Sequence, residues 1–188
     1  FEVMIDALRG AGVKVDEKAR PEFALNDLIQ TYYQLLLPII LAGLPDPAIE
    51  AVANRADGFD KEDLGEEAEY ARAPVIRHRN WLAKNEARHR TRAIFRTFFS
   101  DYDVLLCPVV PVPAISHDHS DFAARTIRVN DQDRPYTDLF GWISMATTCY
   151  LPATVAPIGP TSEGLPVGAQ IIGPYLEDHT TIEFARLL

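Results

Sequence analysis

Five serines and four lysines are the chain's candidate nucleophiles and bases. A serine hydroxyl is a poor nucleophile until a positioned base removes its proton, so their spacing decides what they can do. Ser100, Ser116, Ser120, Ser144 and Ser162 are never adjacent, and none lies in a Gly-x-Ser-x-Gly or Ser-x-x-Lys setting. Lys14, Lys18, Lys61 and Lys84 all sit in polar surroundings. Cys107 and Cys149 lie in apolar runs without a Cys-x-x-Cys, which reads as buried free thiols. His117-Asp118-His119 has the spacing of a metal pair but no evident third ligand nearby, so it reads as a surface loop.

Two charged clusters remain. Asp57, Asp60, Glu62, Asp63, Glu66, Glu67 and Glu69 suggest a calcium loop, and the frame starting at Asp60 puts Gly65 at position six. That frame then places Leu64 at five and Ala71 at twelve, where oxygen ligands are required, so the cluster reads as a solvated acidic surface. Asn85, Arg88, His89, Arg90 and Arg92 crowd the middle of a helix. They read either as a salt-bridged, partly exposed face or as an arginine site for an anion or carboxylate. Gly10-x-Gly12 lacks the third glycine of a dinucleotide fingerprint and follows a helix rather than a strand.

The chain has 188 residues, 47% hydrophobic and 24% charged, enough for a domain with a real core. A net charge of −9 argues against a general nucleic-acid binder. No apolar run approaches the ~18 residues of a membrane span, and no signal peptide is visible, so a cytoplasmic location without a membrane partner is expected.

The elements follow from periodicity. Phe1 to Arg9 predicts a helix, Val13 to Val15 a strand, and Glu22 to Ala42 a second helix with Leu25, Leu28, Ile29, Tyr32, Leu35, Leu36 and Ile39 as its stripe. Pro38 is expected to kink that helix or to begin a new segment. Ile49 to Tyr70 yields no clear element. Pro74 opens a long helix to about Ser100, and Asp103 to Cys107 reads as a strand buried on both faces. Thr126 to Val129 predicts a short strand before a polar turn, and Pro135 to Tyr150 a helix or two half-helices. Ala153 to Ile158 and Val167 to Ile172 form a hairpin around a turn-rich segment, and Glu177-Asp178 opens a last helix.

Within that hairpin, GLPVGAQIIGPYLED (Gly164 to Asp178) resembles the C-terminal signature of the amidase-signature family, with its Gly-Leu-Pro-x-Gly-x-Gln turn and strand. LPATVAPIG (Leu151 to Gly159) resembles that family's Leu-Pro-Ala strand, and YDVLLCPVVPVPA (Tyr102 to Ala114) its Asp-hydrophobic-Leu-x-Pro strand. Two positions depart from the pattern. The usual Asn-x-x-Gly-x-Pro-Ala stands here as Thr147 to Ala153, with Thr147 in place of Asn and Tyr150 in place of Gly, which predicts an altered backbone at Tyr150.

The resemblance implies an α/β fold, an α/β/α layered sandwich around a mixed sheet, of which residues 1–188 form the C-terminal portion of a single amidase domain. It implies hydrolysis of carboxamides to acid and ammonia or amine, by two serines and a lysine. That apparatus belongs to the family's N-terminal half, and no residue here matches it, so no catalytic residue is assigned and the chain alone is expected to be inactive. The segment Pro135 to Pro152 is expected to face the substrate, with Tyr136, Phe140, Trp142 and Thr148 as contact residues or as core. No metal or organic cofactor is implied. The partners implied are a small amide substrate and the missing N-terminal half, with self-association through exposed sheet edges. The alternatives are an A-type subunit of a glutamyl/aspartyl-tRNA amidotransferase, and a binding or assembly module without chemistry.

Overall fold

The computed structural model describes residues 1–188, except for the side chain of Ala123. The chain divides into two compact units, residues 1–22 with 94–188, and residues 23–93.

In the first unit, α1 (Glu2–Gly10) buries Met4 and Leu8, four residues apart on one helical face. The strand expected at Val13 to Val15 does not form. Val13 N–H instead closes the helix on the Leu8 carbonyl at 3.0 Å, and Val15 packs beside Met4 and Leu8. Alternation there has no neighbouring strand to pair with.

The sheet of this unit has the order β1 (Leu105–Pro108), β5 (Pro166–Ile172), β4 (Ala153–Pro160), and each pair is antiparallel. Its register aligns Leu106 with Ile171 and Thr154, and Cys107 with Gln170 and Val155. Alternate residues of a strand face opposite ways, so the two sets define two faces. Met4, Leu8 and Phe184 cluster with Ala169 and Leu106 on the first face. Phe184 comes from α7 (Asp178–Leu187), which also joins Thr181 Oγ1 to Thr154 Oγ1 at 2.8 Å. The other face carries Gln170 and Cys107. β1 is only half-buried outside Cys107, not buried on both faces as expected, because it is an outer strand of three.

Gly164 and Gly168 have distinct roles in the hairpin. Gly164 has φ +84°, a left-handed turn position that glycine takes without strain. Gly168 is a close approach, since a Cβ there would lie 2.8 Å from Val155 Cγ1.

A second hairpin pairs β2 (Thr126–Val129) with β3 (Gln132–Pro135). Asn130 and Asp131 both have positive φ, the geometry of a two-residue hairpin turn that matches strand twist. The return strand is wholly exposed and polar, so no apolar alternation marks it in the sequence. Pro135 to Tyr150 resolves into a 3-10 helix, Tyr136–Phe140, and α6 (Ser144–Cys149).

In the unit of residues 23–93, α2 (Leu25–Leu41) runs through Pro38 without ending there. Ile39 points outward, and Leu37 and Leu41 are buried instead. The segment that gave no clear element holds α3 (Asp46–Ala53) and α4 (Glu66–Arg72), the latter opening on Glu66, Glu67 and Glu69 against the positive end of its dipole. Glu69 is buried rather than solvated, with Arg72 3.7 Å away on the next turn. The long helix α5 (His78–Phe98) starts after a 3-10 turn at Ala73–Val75, four residues later than Pro74 suggests. No helix among the described residues is long and apolar enough to cross a membrane.

Candidate functional site

The wall formed by residues 135–152 sits on the sheet face that carries Gln170. That glutamine, the last residue of the Gly-Leu-Pro-x-Gly-x-Gln string, is buried on β5. Its Nε2 donates to Cys107 Sγ at 3.2 Å and to the Trp142 carbonyl at 3.4 Å. The side chain therefore ties the turn before α6 to two strands of the sheet.

Below that turn, Ser144 is fully buried and donates to the Gly141 carbonyl at 2.7 Å. Thr147 Oγ1 donates to the Ile143 carbonyl at 3.0 Å, the back-bond expected of a helical threonine. Thr148 does not follow it. Its Oγ1 is buried with no hydrogen-bond partner among the described residues, and a buried hydroxyl left unpaired costs roughly 1–3 kcal/mol. α6 ends at Tyr150, which takes the left-handed conformation at φ 58° and ψ 35°. The Leu151 N–H then bonds the Ala146 carbonyl at 3.0 Å, closing the helix in the six-to-one pattern that usually uses glycine. Tyrosine thus adopts a glycine-type geometry, where the sequence suggested an altered one.

The four candidate contact residues all belong to this one segment. Tyr136 packs edge-on against Phe122, ring centres 5.5 Å apart. The Arg125 guanidinium lies 5.8 Å from the Tyr136 ring and 5.9 Å from Phe122, a cation–π arrangement the sequence did not suggest. Phe140 is half-buried at the end of the 3-10 helix, and Trp142 is half-buried with its carbonyl held by Gln170. Thr148 is buried. No hydrogen bond or ring contact joins the four to one another among the described residues.

Both cysteines are buried thiols outside any disulfide. Burial pushes the Cys107 thiol up to about 11, partly offset by the Gln170 amide, so it is neutral at ordinary pH. His117 and His119 lie exposed, rings 6.2 Å apart, and no group of three metal-ligating side chains occurs among the described residues. No serine hydroxyl meets a lysine among them either; Ser100, like Ser144, bonds a backbone carbonyl.

Comparison with known proteins places this wall inside a family match. The family model described as Amidase matches residues 53–182. The A-type subunit of the glutamyl-tRNA(Gln) amidotransferase of Deinococcus radiodurans is 28% identical over 98% of this chain and 40% of its own length. The corresponding protein of Rubrobacter xylanophilus is 35% identical over 52% of this chain and 18% of its own. A crystal structure of an amidase superposes with a TM-score of 0.69 at 20% identity, covering 98% of this chain and 39% of that one. The chain thus spans about 40% of the length of the curated relative it matches end to end.

Proposed function

The chain belongs to the amidase family, and on that premise we propose that it forms the C-terminal portion of an enzyme that hydrolyses carboxamide C–N bonds to acid and ammonia or amine. The observation that carries this reading is the Amidase match across residues 53–182. In the proposed reaction a serine hydroxyl, deprotonated through a second serine and a lysine, attacks the amide carbonyl, and the C–N bond breaks as ammonia or amine leaves with the returned proton. The acyl-enzyme is then released by water. Those three groups belong to the portion of the family's length this chain does not span. What this chain contributes is the wall of residues 135–152, held on its sheet by Gln170. Of the four candidates, Tyr136, Phe140 and Trp142 keep partly exposed side chains that a substrate can meet, whereas the Thr148 hydroxyl is buried and has no hydrogen-bond partner among the described residues.

The test is ammonia release from acetamide and benzamide by two preparations. The 188-residue chain alone is expected to be inert, and the chain joined to the family's N-terminal portion active. Turnover by the chain alone would overturn the division of labour, and inactivity of the joined protein would overturn the activity itself.

A second reading is favoured by the Deinococcus radiodurans relative. On that reading the protein is an amidotransferase component that supplies ammonia to companion subunits. Co-purification with such subunits supports it, and full amidase turnover without them counts against it.

A further inference from the structure

A cleft of about 480 Å³ opens within the unit of residues 23–93, inside the roughly 300–1,000 Å³ range of small-molecule sites. Four cationic side chains line it, Lys61, Arg72, Arg77 and Lys84, against one carboxylate, Glu69, in a chain of net charge −9. Arg72 is already committed. It bonds the Asp60 and Asp63 carbonyls, each at 2.5 Å, and lies 3.7 Å from Glu69. Lys61, Arg77 and Lys84 join no ion pair among the described residues, and they line the cleft from the 61–64 loop, from the residue before α5 and from its second turn.

Two further observations narrow what such a site takes. Gln34 Oε1, on the α2 side of the cleft, is buried and has no hydrogen-bond partner among the described residues, so it lacks a donor. Pro38, Ala73 and Ile76 give the cleft an apolar lining beside the cations. An inorganic anion would satisfy the charge but leave the apolar surface uncovered.

We propose that this cleft binds a small organic carboxylate that carries an apolar body and an N–H donor, the class of an N-acylated amino acid. The carboxylate meets Lys61, Arg77 and Lys84 in charge-assisted hydrogen bonds, the strongest kind available on a protein surface. The N–H donates to Gln34 Oε1, and the acyl group covers Pro38 and Ile76. The inference is separate from the amide chemistry proposed above and needs no catalytic group.

The probe is N-benzoylglycine, titrated into the 188-residue chain by calorimetry, with its methyl ester, inorganic phosphate and 3-phenylpropionate as comparators. The expected Kd is on the order of 1 mM, as befits a ligand of this size. Ester and phosphate should bind at least about tenfold more weakly, and Lys61→Gln/Lys84→Gln should cost the acid a similar factor. Gln34→Leu should weaken N-benzoylglycine but leave 3-phenylpropionate, which has no N–H, unchanged. Both lysines reach solvent, and a circular dichroism spectrum checks that the variants fold. Absence of saturable binding, equal binding of acid and ester, equal binding of phosphate, or indifference to the lysine pair would each overturn the proposal. The assay reads binding rather than turnover, so its failure leaves the hydrolase reading untouched.

Discussion

Gln170 and Cys107 meet through an Nε2–Sγ hydrogen bond of 3.2 Å across 63 residues of sequence, and the same amide also holds the Trp142 carbonyl. One side chain therefore links the turn before α6 to the sheet. Gln170→Leu keeps the volume and removes both bonds. We expect it to lower unfolding free energy by about 1–2 kcal/mol, the scale of a lost bond to a half-buried carbonyl. Urea denaturation followed by Trp fluorescence measures it, and an unchanged midpoint would show that the amide does not pin the turn.

The thiol end of that bond has its own consequence. Cys107 titrates near 11 in the fold against an ordinary value of 9.0. At pH 8 only about one such thiol in a thousand is the reactive thiolate. In a Cys149→Ala background, labelling by a disulfide reagent should be far slower in the native protein than in urea. Folding raises this pKa, so the unfolded chain gives up its proton first. The stability contribution is complete below pH 9 and falls away as pH rises toward 11. Rapid native labelling at pH 8 would contradict the burial.

Much of the sheet could be read in the sequence, and the reasons differ by segment. The β4–β5 hairpin announces itself through β-branched runs around Gly159 to Gly164, and its register follows from the turn. The unit of residues 23–93 was harder. α3 and α4 are short and rich in charge, and Glu69 reads as surface until Arg72 is seen beside it. The strand β3 has no buried residue and so no pattern to read. Among the candidate contacts, Thr148 differs from Thr147 only by where its hydroxyl ends, which no spacing rule distinguishes. Gln170 was legible as part of a motif, but its partners at Cys107 and Trp142 are distant in sequence and depend on the sheet.

Tyr150 occupies a left-handed conformation that costs a non-glycine residue roughly 1–2 kcal/mol. Tyr150→Gly relieves that strain but loses some side-chain contact and frees the unfolded chain. We expect a net gain of about 0.5–1 kcal/mol and a higher Tm by calorimetry. Tyr150→Val, β-branched and ill suited to positive φ, should instead lower Tm. A Val variant as stable as Gly would show that the conformation carries no strain.

Asp16 organises the loop after α1. Its carboxylate accepts the Lys18 and Ala19 N–H groups at 2.8 and 3.1 Å and the Tyr102 hydroxyl at 3.0 Å. The Lys18 N–H first, then Tyr102, hold its pKa below the usual 3.8. A depressed carboxylate stabilises the fold above its unfolded pKa, and that contribution is lost as pH falls through the folded one. Tyr102→Phe removes one donor and should move the Asp16 carboxyl upward in an NMR titration. It should also narrow the acid range over which this contribution survives. A titration identical to wild type would mean that the hydroxyl bond is not populated.

Self-association follows from the sheet's outer strands. β4 is an edge among the described strands, but its two halves differ. The bulge between Pro157 and Gly159, with Pro157 and Pro160 lacking N–H donors, blunts the distal half. The half from Ala153 to Ala156 has no such protection, and Val155 there is 55% exposed. An unguarded strand edge beside an exposed branched side chain favours pairing with a second copy. We expect sedimentation velocity of the 188-residue chain to show concentration-dependent dimers, and Val155→Lys to return it to monomer, since an edge lysine must desolvate to pair. A chain that is already monomeric at the highest concentration, or a lysine variant that dimerises equally, would place the contact elsewhere or nowhere.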